Sequence, residues 1–289
     1  MSKSSVERAL ARSYENKNGR RAGKEQEYST EEKSRLHAQE GDLRGTDGDF
    51  GGALKEYQKA ARLEPNSARR LSQLADAYAA ADQPEKALET YQRALQVQSE
   101  QGGADLTEAH VGLGDICRTF AMSAKAIRSY ERAVRSRPRQ PFLRWKLAAA
   151  LTALGLFDQA EEQLLTVLDL APRDAYYRFQ LADLYTIMQR HADSAEQLQI
   201  VVELAPRDEY YRLRLGAALL RMGHSQAALS HFERVVELQP QNGSYRALLC
   251  YASTRSGQEP SIALDVQMIE LNAYDQDFVR RIRRMAEPS

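Results

Sequence analysis

Apolar residues recur along this chain with a long, fixed period. In the stretch 141–174, Leu147, Ala148 and Leu151 share one helical face. Gly155 interrupts the run, and Ala160, Leu164 and Val167 form a second helical stripe before Pro172. The next stretch repeats the ladder as Leu181, Ala182, Tyr185, Gln189, Ser194, Leu198, Val201 and Pro206. The one after reads Leu215, Gly216, Leu219, Gly223, Ala228, Phe232, Val235 and Pro240. Upstream, Leu113, Gly114, Cys117, Ala126, Tyr130, Ala133 and Pro138 keep the same register, and Pro138, Pro172, Pro206 and Pro240 are spaced by 34 residues. Each proline lacks an amide donor and clashes with the preceding turn, so it closes a helical segment. One such unit cannot bury its own apolar face, whereas stacked neighbours can.

Two further units lie nearer the N-terminus. Leu74, Ala75, Tyr78, Ala87, Tyr91 and Ala94 fit in 68–101, with Ser99 where proline would stand. Ala53, Tyr57, Ala60 and Pro65 fit in 34–67, with Glu40 where a large apolar residue belongs. The surplus between Pro65 and Pro138 is assigned to the glycine-bearing loop Ser99–Asp105. This ladder resembles the tetratricopeptide repeat. The resemblance covers residues 34–272 and implies two antiparallel helices, A and B, per unit. Small residues let A and B approach, and large ones fill the space between units. The expected fold is all-α, a right-handed superhelical solenoid with units near 34–67, 68–101, 107–140, 141–174, 175–208, 209–242 and a degenerate 243–272. A polar arm (1–28), with one short helix at 5–14, would precede the solenoid (29–272). A basic capping helix and tail (273–289) would follow. Ser29-Thr30-Glu31-Glu32 reads as a capping box opening the first A helix. Asp275–Met285 reads as a helix with an apolar stripe of Phe278, Ile282 and Met285.

The composition narrows the function classes. Forty Lys and Arg balance forty Asp and Glu, so no global field favours nucleic acid or an anionic membrane. Only the local cluster Arg280, Arg281, Arg283 and Arg284 offers an anion patch, which leaves open a peripheral tether to a membrane or nucleic acid. Cys117 and Cys250 fall at repeat core positions, without the spacing of a disulfide framework or zinc site. No apolar run suits a signal peptide or a membrane span, so a cytoplasmic protein is expected. The five histidines form no metal-binding pattern, and Gly45–Gly52 lacks the lysine and serine of a phosphate loop. The expectation is a protein without cofactor, metal or catalytic residues.

The resemblance further implies that the A helices line a concave groove. The second residue of three successive units is then Phe142, Tyr176 and Tyr210, and the fifth is Trp145, Phe179 and Leu213. Large apolar side chains displayed this way mark a binding surface for a partner's helix or extended peptide. Asp115 and Asp183, at the ninth position, would meet basic groups of that partner, with Arg118 beside them. The fifth position carries no lysine, so the clamp some family members use for a chaperone's C-terminal carboxylate is absent. The reading is a non-catalytic interaction scaffold that aids assembly of a multiprotein complex. A self-associating subunit, its groove filled by residues 1–28, stays open as an alternative.

Overall fold

The computed structural model describes residues 28–101, 105–257 and 273–287. The proposed arm helix at 5–14, the glycine pair of the Ser99–Asp105 loop and the second helix of 243–272 lie outside the described residues. The described residues form helices without strands: α1 (Thr30–Thr46), α2 (Phe50–Leu63), α3 (Ala68–Ala80), α4 (Pro84–Gln101), α5 (Thr107–Thr119), α6 (Ser123–Ser136), α7 (Pro141–Ala153), α8 (Phe157–Leu170), α9 (Ala175–Ile187), α10 (His191–Leu204), α11 (Glu209–Arg221), α12 (Ser225–Leu238), α13 (Gly243–Ser256) and α14 (Ala273–Ala286). Contacts divide the chain at a repeat boundary into two units, Met1–Pro138 and Arg139–Ser289. In each unit odd and even helices pair as hairpins, and each hairpin packs on the next.

Every hairpin turns through one residue of left-handed backbone: Gly48, Asp82, Ala121, Gly155, Gln189, Gly223 and, after α13, Gly257. The hairpins then close on residue sizes that match. A Cβ added to Gly114 would stand 2.6 Å from the buried Tyr130 ring, and one on Gly216 2.8 Å from Phe232. Where the small residue is alanine, Ala148 and Ala182 face Leu164 and Leu198, while Ala75 faces Tyr91.

The first hairpin closes Gly41 against Tyr57 in the same way and also buries polar groups. Glu40 takes the apolar place and is reached by Arg44 at 3.1 Å, and Glu56 is held by His37 at 2.7 Å and Lys59 at 2.8 Å. The capping box forms: Ser29 Oγ accepts from the Glu32 amide at 3.1 Å, and Glu32 accepts from the Ser29 amide at 2.9 Å. Cys117 is buried and Cys250 half-buried, and burial pushes both thiols up.

Candidate functional site

In the second unit the chain writes the same instruction twice, as Pro172-Arg173-Asp174 and Pro206-Arg207-Asp208. The proline holds the residue before it out of the helical region and ends one helix. The aspartate then caps the next: Asp174 accepts from the amides of Tyr176 and Tyr177, and Asp208 from that of Tyr211. Tyr176 and Tyr210 are thereby fixed in the first turns of α9 and α11. Arg178 and Arg212 reach back to the carbonyls of Pro172 (3.3 Å) and Pro206 (2.8 Å), and Arg178 also bonds Gln197 on α10 at 2.8 Å.

These turns present rings on the A-helix face. Phe142, Tyr176 and Tyr210 are 38%, 44% and 41% exposed, Trp145 is half-buried and Phe179 is buried. The rings join from one repeat to the next. Trp145 lies 5.5 Å from Tyr176, and Phe179 lies 5.7 Å from Tyr210, both nearly edge-to-face. Phe142 adjoins Trp145 at 5.6 Å. Cations sit among the rings: Lys146 Nζ is 5.4 Å from the Phe142 centroid and 5.7 Å from that of Trp145. The Arg214 guanidinium is 4.9 Å from Phe179. A cleft of about 220 Å³ opens beside Trp145, lined by Ala149, Thr152, Gln180, Asp183 and Ile187.

The acids of this face are already engaged. Asp183 pairs with buried Arg214, which also donates to the Tyr210 hydroxyl at 3.2 Å. Burial pushes the Asp183 carboxyl up against the pull of Arg214. Arg214 stays above its ordinary value because Asp183 and Tyr210 outweigh its own burial. In the first unit, Asp115 accepts from the Tyr130 hydroxyl at 2.5 Å, and Asp42 and Asp76 accept from Tyr57 and Tyr91 in the same way. The acids that the sequence offered to a partner's basic groups, Asp115 and Asp183, thus hold Tyr130 and Arg214 within the fold. Arg118 is exposed and belongs to the first unit.

The face changes where α14 lies across α11 and α13. Leu213, Ala217 and Leu220 are 0%, 1% and 3% exposed, in one apolar cluster with Val279, Ile282 and Ala286. Their counterparts Trp145, Ala149 and Thr152 are half-buried. The ring series stops at Ser244, which stands where Tyr210 and Tyr176 stand earlier and donates to Asp275 Oδ1 of α14 at 3.0 Å. The stripe read from the sequence as Phe278, Ile282 and Met285 is wider: Val279 and Ala286 are buried, and Phe278 and Met285 flank them. Arg280, Arg281, Arg283 and Arg284 are exposed, with Arg281 paired to Asp277 at 3.2 Å and Arg283 5.0 Å from the Tyr251 ring. Among the described residues no group of three or more His, Cys, Asp or Glu could hold a metal ion, and no helix is long and apolar enough to cross a membrane.

Comparison with curated proteins gave no match. Solved structures share the fold at low identity. PilF of Pseudomonas aeruginosa is 18% identical, covering 77% of this chain and 99% of its own, with a TM-score of 0.59. MamA of Desulfovibrio magneticus RS-1, from residue 41 onward, is 20% identical over 62% of this chain and 98% of its own, with a TM-score of 0.56. YrrB, described as a TPR protein with an unusual peptide-binding site, is 17% identical over 68% of this chain and 93% of its own, with a TM-score of 0.53. Family models of the tetratricopeptide repeat match residues 66–139 and, in overlapping windows, 121–175, 146–209 and 179–243. The matched windows span the hairpins whose small-against-large closure is described above, so the chain belongs to the tetratricopeptide repeat family.

Proposed function

We propose that the A-helix face of α7, α9 and α11 binds an apolar or amphipathic segment of another protein, and that the chain is an interaction scaffold in a multiprotein assembly. The observation that carries this reading is the ring series: three large side chains, equivalent in successive repeats, each more than a third exposed, with Trp145 joining Phe142 to Tyr176 and Phe179 lying against Tyr210. Exposed apolar surface of this kind costs solubility and is kept where it is covered by a partner. Aromatic residues are also the usual anchors of interfaces. Because Asp183 is spent on Arg214, affinity comes from burying rings rather than from a salt link. YrrB's peptide-binding site supports a peptide as the ligand class on this fold. The reading is one of binding without catalysis: the face consists of rings, aliphatic side chains and ions paired with one another, with no nucleophile beside a base.

Replacing Phe142, Tyr176 and Tyr210 together by alanine tests it. The three are exposed, so the melting temperature changes little, while affinity capture from the source cells loses the proteins that bind the native chain. An unchanged set of captured proteins would remove this face from the function. Capture that depends on the ring residues should persist at high salt, whereas attachment through Arg280, Arg281, Arg283 and Arg284 should collapse.

A further inference from the structure

We infer that α14 is a displaceable internal ligand of the A-helix face, and that the surface beneath it binds in its place an amphipathic partner helix of the same pattern. This inference rests on the reading of that face as the partner's seat, and it names the seat's regulation. Four observations carry it.

The first is position. α14 packs on α11 and α13, both A helices, so it lies on the same side of the second unit as Tyr176 and Tyr210. It covers Leu213, Ala217 and Leu220, the counterparts of residues that stay half-buried two repeats earlier. The second is the small hold it has. α14 fully buries Val279, Ile282 and Ala286, with Phe278 and Met285 only half-buried beside them, whereas α12 fully buries Ala228, Leu229, Phe232, Val235 and Val236. The third is that neutral Ser244 of the face donates to Asp275 of α14, while the Arg281–Asp277 pair is internal to the helix and travels with it. A helix of 14 residues is marginal in water, so α14 is ordered by its seat. The fourth is the face's own adaptation. Ser244 replaces the ring of the earlier repeats and is buried against α14, so the surface is shaped to receive a helix there.

The occupant's chemistry follows from α14 itself. The seat takes β-branched and small apolar residues at the spacing of Val279, Ile282 and Ala286, with an acidic residue at the Asp275 place to meet Ser244. It takes an arginine at the Arg283 place to lie over Tyr251. A partner helix of this kind competes with α14, which enjoys the high effective concentration of a tethered ligand.

The probe is a fluorophore-labelled synthetic peptide of residues 273–287, titrated into the full chain and into the full chain carrying Val279→Asp and Ile282→Asp. Binding to the variant at least about tenfold tighter than to the native chain is expected, because the internal competitor has been weakened. Equal binding to both, or binding to neither, overturns the inference. A second variant guards against misfolding. With Ser244→Cys and Asp275→Cys, the oxidised chain should refuse the peptide and the reduced chain accept it, and peptide binding that survives oxidation overturns the inference. Hydrogen exchange of the unmodified chain gives a third reading: α14 amides should exchange ahead of α12 amides, and equal protection overturns it. The peptide reads the α11–α13 surface alone. Replacing Phe142 and Tyr176, outside that surface, leaves its binding unchanged, so failure of the ring face and failure of α14 displacement register in different measurements.

Discussion

A methyl group on Gly114 would stand 2.6 Å from the ring of Tyr130, which is fully buried and whose hydroxyl is held by Asp115. In an exposed helix, glycine to alanine stabilises by about 1 kcal/mol. Here the added methyl forces the buried ring of Tyr130 to shift against its packing and its bond to Asp115. Gly114→Ala is expected to destabilise by about 1–3 kcal/mol. Adding Tyr130→Leu recreates the pairing found at Ala148 and Leu164, so the double variant should lose less than the sum of the single losses by about 1 kcal/mol or more. Urea midpoints of the four proteins decide it, and simple additivity would sink the account. Both residues were visible in the sequence as rungs of the ladder. That the acid between them, read from the sequence as a groove residue, also holds Tyr130 was not legible, because its partner sits on the other helix of the hairpin. A signal was nonetheless present: Asp42, Asp76 and Asp115 each precede a tyrosine by 15 residues, and where leucine replaces the tyrosine, as at Leu198, the acid Asp183 turns to Arg214.

Helix ends follow from prolines. α2, α6, α8, α10 and α12 each stop at a cap residue that directly precedes Pro65, Pro138, Pro172, Pro206 or Pro240. Those caps have ψ between 65° and 75°, away from the helical region. α4 has Ser99 at that place and continues to Gln101, for 18 residues instead of 14. The surplus assigned from sequence to a loop is therefore taken up in part by helix. Ser99→Pro should end α4 at about Val97, visible as loss of helical Cα shifts at residues 98–101. It should cost less than the roughly 3 kcal/mol of a mid-helix proline, since only the last turn is affected. Retained helical shifts beyond residue 98 would refute the proline rule for these repeats. The capping box of α1 and the basic C-terminal helix were both legible from local spacing. The seat of α14 was not, because it depends on Ser244, Leu213 and Leu220, residues of two other helices that no local spacing connects.

Formal charge balances to zero at pH 7, so the first response to mild acid is set by individual sites rather than by global repulsion. His110 in the first unit and His231 in the second are both held below the 6.5 of a free imidazole. Burial is the main cause, joined by Arg132 and Arg135 at His110 and by Arg212 at His231. Below 6.5 the unfolded chain takes up protons at these two sites before the folded chain does, so stability falls as pH drops through that value and is fully present above it. Carboxylates held low, such as Glu56 and Glu64, and Asp105 at about 2 beside Thr107 and Arg137, add a second loss in stronger acid. Asp76 and Asp183, pushed up by burial, act in the opposite sense. Comparison with the variant His110→Gln plus His231→Gln isolates the first stage. Its urea midpoint should decline less than that of the native chain below pH 6.5, the remaining decline coming from His191, which burial and Arg221 also hold low, and the two should run parallel in stronger acid. Parallel curves across the whole range would show that the two imidazoles are as easily protonated in the folded chain as in the unfolded one.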